Sequence, residues 1–191
     1  MSGPVIIVSG LSRCGTSLVM QMLQAGGVAV TGEYPAFELV EFTGPRELSF
    51  LQNFKGHGVK IIDPHLFDWR GVPELKVIWL DRDPAEQAKS QIKFGAAVAG
   101  LPIQQTRAMV RQWTRALRRD RPRCLALFKA LGCETLFLSF ERLVEAPLAA
   151  ARELAEFTGA ASAEAMAEAV RPREPECYPG LLEIELLEGT A

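Results

Sequence analysis

Gly10-Leu11-Ser12-Arg13-Cys14-Gly15-Thr16-Ser17 follows the β-branched run Val5 to Val8 and precedes an apolar run at helical spacing. The pattern is G-x-x-x-x-G with two hydroxyl residues behind it. A strand, a glycine loop and a helix start so arranged aim backbone N–H groups and a helix N-terminus at one point, which suits a phosphate-like anion. Nucleoside triphosphatases of this pattern carry Lys directly after the second Gly. Thr16 stands there instead, which disfavours ordinary ATP or GTP hydrolysis. Arg13, inside the loop, supplies a fixed positive charge that can stabilise negative charge building on a transferred group.

A second anion-gripping pair follows the run Lys76 to Leu80. Arg82 stands at the end of that strand-like segment, and Ser90 lies eight residues on, inside a helix opened by Pro84. A guanidinium and a hydroxyl so spaced can hold one phosphate by charge and by hydrogen-bond donation. Residues able to move a proton gather after a third strand-like run, Val59 to Ile62: Asp63 and His65. Glu33 is a third candidate base, and His57 reads as a loop residue. Lys60 reads as a strand cation or as an exposed edge charge. Arg107, Arg111 and Arg115, with Arg118, Arg119, Arg121 and Arg123, form a basic stripe. It reads best as a solvated face paired with the acidic segment Glu141 to Glu168, the alternative being capture of an anionic acceptor.

Together these motifs resemble the sulfotransferase family. Ser12 to Leu18 is similar to its 5′-phosphosulfate loop, with Cys14 in place of the usual Ser. Arg82, Pro84 and Ser90 match its 3′-phosphate motif. Leu138 to Gly159 resembles its strand–Tyr-Glu-Asp-Leu–helix segment, with Phe140 for the Tyr, and Leu18 replaces a frequent adenine-stacking Trp. Ile61 to Leu66 resembles the segment that carries the family's general-base His, and His65 is the matching residue. The family's C-terminal Arg-Lys-Gly loop has no match beyond Arg171 or Arg173. The resemblance implies 3′-phosphoadenosine 5′-phosphosulfate (PAPS) as sulfuryl donor and 3′-phosphoadenosine 5′-phosphate (PAP) as product, with no metal. Arg13, Gly15, Thr16 and Ser17 would bind the 5′-phosphosulfate, and Arg82 and Ser90 the 3′-phosphate. Arg13 and His65 would be catalytic, with Asp63 and Glu33 as competing bases. The acceptor would be a small molecule or a carbohydrate. Two rivals stay open: a nucleotide-dependent phosphotransferase of the same fold, and a non-catalytic nucleotide-binding or interaction protein.

These residues need a scaffold that brings the ends of separate strands together. Strand signals at Val5–Val8, Val59–Ile62, Lys76–Leu80 and Thr135–Phe140 alternate with helix signals, and Val28–Thr31 reads as a further short strand. Helices are predicted from Thr16 to Gln24, Pro45 to Asn53, Pro84 to Phe94, Pro147 to Phe157 and Ser162 to Val170. A long one from Ile103 to Leu131 is expected to be interrupted or kinked at Pro122, and Gly95 to Pro102 to be a break. Strands joined by helical crossovers imply an α/β three-layer sandwich, a mostly parallel P-loop-type sheet flanked by helices. Ligands then bind beyond the carboxyl ends of the strands.

The chain's 191 residues suit one domain, 1–191, with an irregular tail from about Arg171. Hydrophobic residues at 48% and charged residues at 23% argue against disorder, and a net charge of −2 argues against a nucleic-acid coat. Four cysteines without a C-x-x-C pair, and two histidines, suggest neither a zinc site nor a disulfide framework. No apolar stretch is long enough to span a bilayer, and the first residues lack a basic leader. The expectation is a cytoplasmic protein with no membrane or nucleic-acid partner.

Overall fold

The structure, a computed structural model, describes residues 3–39, 47–102 and 105–171. Four strands form one parallel sheet in the order β2-β1-β3-β4: β1 (Val5–Gly10), β2 (Gly58–Ile62), β3 (Leu75–Asp81) and β4 (Glu134–Ser139). Alternation along the strands divides the core into two layers. Ile6, Val8, Ile78, Leu80 and Leu138 face one side, under α1 (Thr16–Ala25) and the C-terminal helices α4 (Phe140–Glu145), α5 (Pro147–Thr158) and α6 (Ala163–Glu168). Val5, Ile7, Val59, Ile61, Val77 and Trp79 face the other, under α2 (Pro84–Val98) and α3 (Arg107–Ala130). This is the three-layer α/β sandwich expected, with every strand pair parallel.

Several boundaries differ from expectation. Val28–Thr31 is no strand: only Val30 bridges to Gly58. The helix expected across Pro45 to Asn53 is a 3-10 helix confined to Ser49–Phe54, and Pro45 lies outside the described residues. Gly95 does not break α2, which runs on to Val98; one solvent-facing Gly costs a helix only about 1 kcal/mol. Pro122 sits inside a continuous α3, and that helix starts at Arg107 behind the Thr106 cap rather than at Ile103, which lies outside the described residues. The last strand stops at Ser139, whose hydroxyl accepts from the Arg142 N–H and so starts α4 at Phe140. Pro172, Arg173, Pro175, Cys177 and Pro179 also lie outside the described residues.

The basic stripe is the exposed face expected, but its pairing is a correction. Arg119 and Arg123 pair with Asp120 on their own helix, and Arg121 with Asp81 at the end of β3. Within the acidic segment, Glu153 pairs with Arg142 instead. Among the described residues no helix is long and apolar enough to cross a membrane.

Candidate functional site

The loop from Gly10 to Gly15 closes over the carboxyl ends of β1 and β3. Gly10 has no room for a side chain: a Cβ there would lie 2.3 Å from Cys14 Sγ and 2.7 Å from the Leu80 carbonyl oxygen. Gly15 caps α1 at φ 105°, and a Cβ there would meet the Phe140 ring at 2.7 Å. Arg13 adopts φ 69°, a left-handed conformation that a non-glycine residue takes at some cost and that recurs at ligand-binding turns. Cys14 is fully buried, and burial pushes its thiol up to about 12. The residue that departs from the family's Ser therefore points into the core, where a small apolar group fits.

Helix α2 holds the loop in shape. Asp83 caps it by accepting from the Ala85 and Glu86 N–H groups, and Pro84 occupies its first turn. One face then meets the loop. Gln87 Nε2 donates to the carbonyls of Leu11 (2.8 Å) and Ser12 (2.9 Å), and Gln91 Nε2 to that of Ser12 (2.9 Å). Arg82 Nη1 donates to the Arg13 carbonyl at 3.1 Å. With these carbonyls drawn toward α2 and Arg82, planar trans peptides turn the N–H groups of Ser12, Arg13 and Cys14 the opposite way. The Ser12 N–H accordingly points at Asp63 Oδ1, 3.4 Å away.

The two anion motifs meet. Arg13 Nε donates to Ser90 Oγ at 3.4 Å, while the Arg13 guanidinium lies 4.7 Å from the Phe94 ring centroid. The Arg82 guanidinium lies 4.3 Å from that of Phe140, the ring that also packs on Gly15. Thr16 and Ser17 are buried in the first turn of α1, which carries no acidic residue and no side-chain cap. An uncapped helix N-terminus beside two guanidinium groups and the Ser17 and Ser90 hydroxyls has the chemistry of a dianion site.

The proton-moving candidates are spread out. Asp63, at φ 51° just past β2, is tied to the loop by its backbone N–H, which donates to the Gly10 carbonyl at 3.0 Å. Burial pushes its carboxyl above the ordinary range; the Ser12 N–H and the nearby His65 pull the other way. His65 sits in a single 3-10 turn, Pro64–Leu66, with Nδ1 3.2 Å from Cys124 Sγ on α3. It makes no hydrogen bond to the loop. Glu33 is exposed, and the turn it opens closes on Phe37, whose N–H donates to the Glu33 carbonyl at 2.7 Å. His57 is a loop residue, as expected, with Nδ1 3.1 Å from the Lys55 carbonyl. Lys60 is not an exposed edge charge: its side chain is 3% exposed. Its signal in the sequence was a lone cation inside an apolar strand. Gln87, Gln91 and Phe94 were missed as well, although their spacing with Ser90 marks one helical face.

A family model described as the sulfotransferase family matches residues 65–164, just over half of the chain, and the chain belongs to that family. The matched segment contains His65, Arg82 and Ser90 and begins after the Gly10–Ser17 loop. A sequence search of curated proteins found no match. Among solved structures, the chain is similar to mouse sulfotransferase SULT7A1 complexed with PAP: 14% identity, TM-score 0.58, 88% of this chain and 64% of that one. It therefore spans less than two thirds of the mouse protein. It is also similar to the sulfotransferase domain from the curacin biosynthetic pathway (13%, TM-score 0.59, 91% of this chain and 79% of that one). A sulfotransferase from Alicyclobacillus acidocaldarius matches at 16% and TM-score 0.57, over 98% of this chain and 96% of that one. At such identities these likenesses are of fold.

Proposed function

We propose that this chain is a single-domain, PAPS-dependent sulfotransferase acting on a hydroxyl or amine of a small-molecule or carbohydrate acceptor. The observation that carries the reading is the junction of the two anion motifs: Arg13 bonds to Ser90, and Arg82 to the backbone of Arg13. One ligand with a phosphate at each end of a nucleoside would use both. Arg13, Gly15, Thr16 and Ser17 hold the 5′-phosphosulfate at the start of α1; Arg82 and Ser90 hold the 3′-phosphate. PAP bound to the mouse relative fits this donor.

In the reaction the acceptor oxygen or nitrogen forms a bond to sulfur. The bond from sulfur to the bridging phosphate oxygen breaks, PAP leaves, and the acceptor proton passes to a base. Charge builds on the bridging oxygen, where Arg13 stabilises it more in the transition state than in the ground state. His65 takes the proton in this reading. Asp63 is the competing base, favoured by its contact with the loop and by a carboxyl raised by burial. The free thiols Cys14, Cys124 and Cys133 suit a reducing, cytoplasmic setting.

The test is Arg13→Ala, measured twice. Single-turnover consumption of PAPS is expected to fall by about 10²–10³, while PAP affinity in a titration falls much less. Lost PAP binding with unchanged chemistry would overturn the role of Arg13 in the transfer step.

A further inference from the structure

Strand β2 presents Val59 and Ile61 to the α2–α3 layer, so Lys60 between them faces the α1 layer, beside Val8 of β1. An apolar side chain is expected there. Instead an ammonium is buried, and its three N–H donors are all used: on Ser17 Oγ at 3.1 Å, on the Ala36 carbonyl, and on Glu38 Oε1 at 2.6 Å. Burying this charge is a poor way to gain stability, because an apolar residue of similar size serves as well or better. Its position adds to the cost. Ser17 lies in the first turn of α1, and a cation there opposes the helix dipole. The turn offers no acid and no cap, so helix and lysine together ask for an anion, which among the described residues Glu38 supplies. Glu38 is 61% exposed, and an exposed partner holds weakly.

The identity of the hydroxyl points the same way. Counting from Gly15, Ser17 is the second residue, the position at which loops of this spacing in phosphotransferases hold Mg²⁺ on a Ser or Thr. Here that hydroxyl meets an ammonium. We infer that Lys60 is a further donor-binding cation, whose charge neutralises the 5′-anion bound at the N-terminus of α1, and that Glu38 occupies it until that anion arrives. On binding, the donor anion replaces Glu38 on one ammonium N–H, and Ser17 and Ala36 keep the other two. The inference rests on the donor reading above and adds a residue and an exchange to it.

The test uses two ligands and two variants of the full chain, read by titration calorimetry with a thermal melt on each variant. PAP carries both phosphates; adenosine 3′-monophosphate lacks the 5′ one. Lys60→Met is expected to weaken PAP at least tenfold and to leave adenosine 3′-monophosphate unchanged. Glu38→Gln, a surface change, is expected to tighten PAP severalfold because the ammonium no longer has a competing carboxylate. Equal weakening of both ligands by Lys60→Met would make Lys60 a tether of the 31–38 segment and overturn the inference. If Lys60→Met does not fold, Glu38→Gln decides alone: unchanged or weaker PAP binding overturns it. PAP binding by the unaltered protein that is indifferent to both variants removes only this inference. No PAP binding at all removes the donor reading beneath it as well.

Discussion

On the β3 side of the loop, Gln87, Gln91, Ser90 and Arg82 reach residues 69 to 79 positions away in sequence, and the carbonyls of Leu11, Ser12 and Arg13 are all engaged. On the β2 side, Asp63 meets the Gly10–Gly15 loop through its carboxylate and its backbone N–H and Lys60 reaches Ser17 behind it, whereas the neighbouring His65 bonds to α3 instead. In the proposed reading the difference separates two tasks. Binding a fixed donor rewards a rigid cradle whose N–H groups are oriented in advance, because no reorganisation is then needed when charge builds. An acceptor can be placed by fewer fixed groups, and a proton acceptor needs reach more than rigidity.

The contrast breaks most visibly at the base. His65→Asn is expected to lower the chemical step by roughly 10²–10⁴ and to leave PAP affinity intact. If Asp63→Asn does this and His65→Asn does not, the proton goes to the carboxylate held against the loop. On the donor side, Arg82→Ala and Ser90→Ala should each weaken PAP about tenfold or more and weaken ADP, which has no 3′-phosphate, much less. Titrations of both nucleotides against both variants check this.

A smaller effect is expected at Phe140. Its ring supports the Arg82 guanidinium and packs on Gly15, so Phe140→Leu should cost about 0.5–2 kcal/mol of PAP binding, a few-fold or more in affinity. Asp63 gives the smallest effect and a defined sign. Its carboxyl is raised in the fold, so its contribution to stability is greatest in acid and is lost as pH rises through its folded pKa. Asp63→Asn removes that dependence. Its melting temperature should match the parent near pH 3 and exceed it by roughly a few degrees at neutral pH. A gain confined to acid would mean that the buried carboxylate is stabilising.

The two motifs that meet at Arg13 were legible in the sequence because their signals are local. Two glycines at fixed spacing, an Arg at a strand end and a Ser two helical turns on are all written within short segments. Phe140 was legible only as a substitution for Tyr; that its ring would bridge Gly15 and Arg82 depends on three separate elements meeting. Lys60 was ambiguous because a lone charge in an edge strand is usually exposed, whereas here its ammonium is buried against Ser17 of α1 and Ala36. Cys124, the partner of His65, lies 59 residues away on a helix that Pro122 does not interrupt. The Gly95 break failed for the same reason: packing between α2 and α3 outweighs one residue's propensity.

The central claim is that one ligand with a 5′-anion and a 3′-phosphate spans the junction of Arg13, Arg82 and Ser90. Calorimetric titration of the unaltered protein with PAP and with ADP, side by side, tests it most directly. PAP is expected to bind at least about tenfold more tightly, the worth of one charge-assisted hydrogen bond to the 3′-phosphate; equal affinity for the two nucleotides would contradict it.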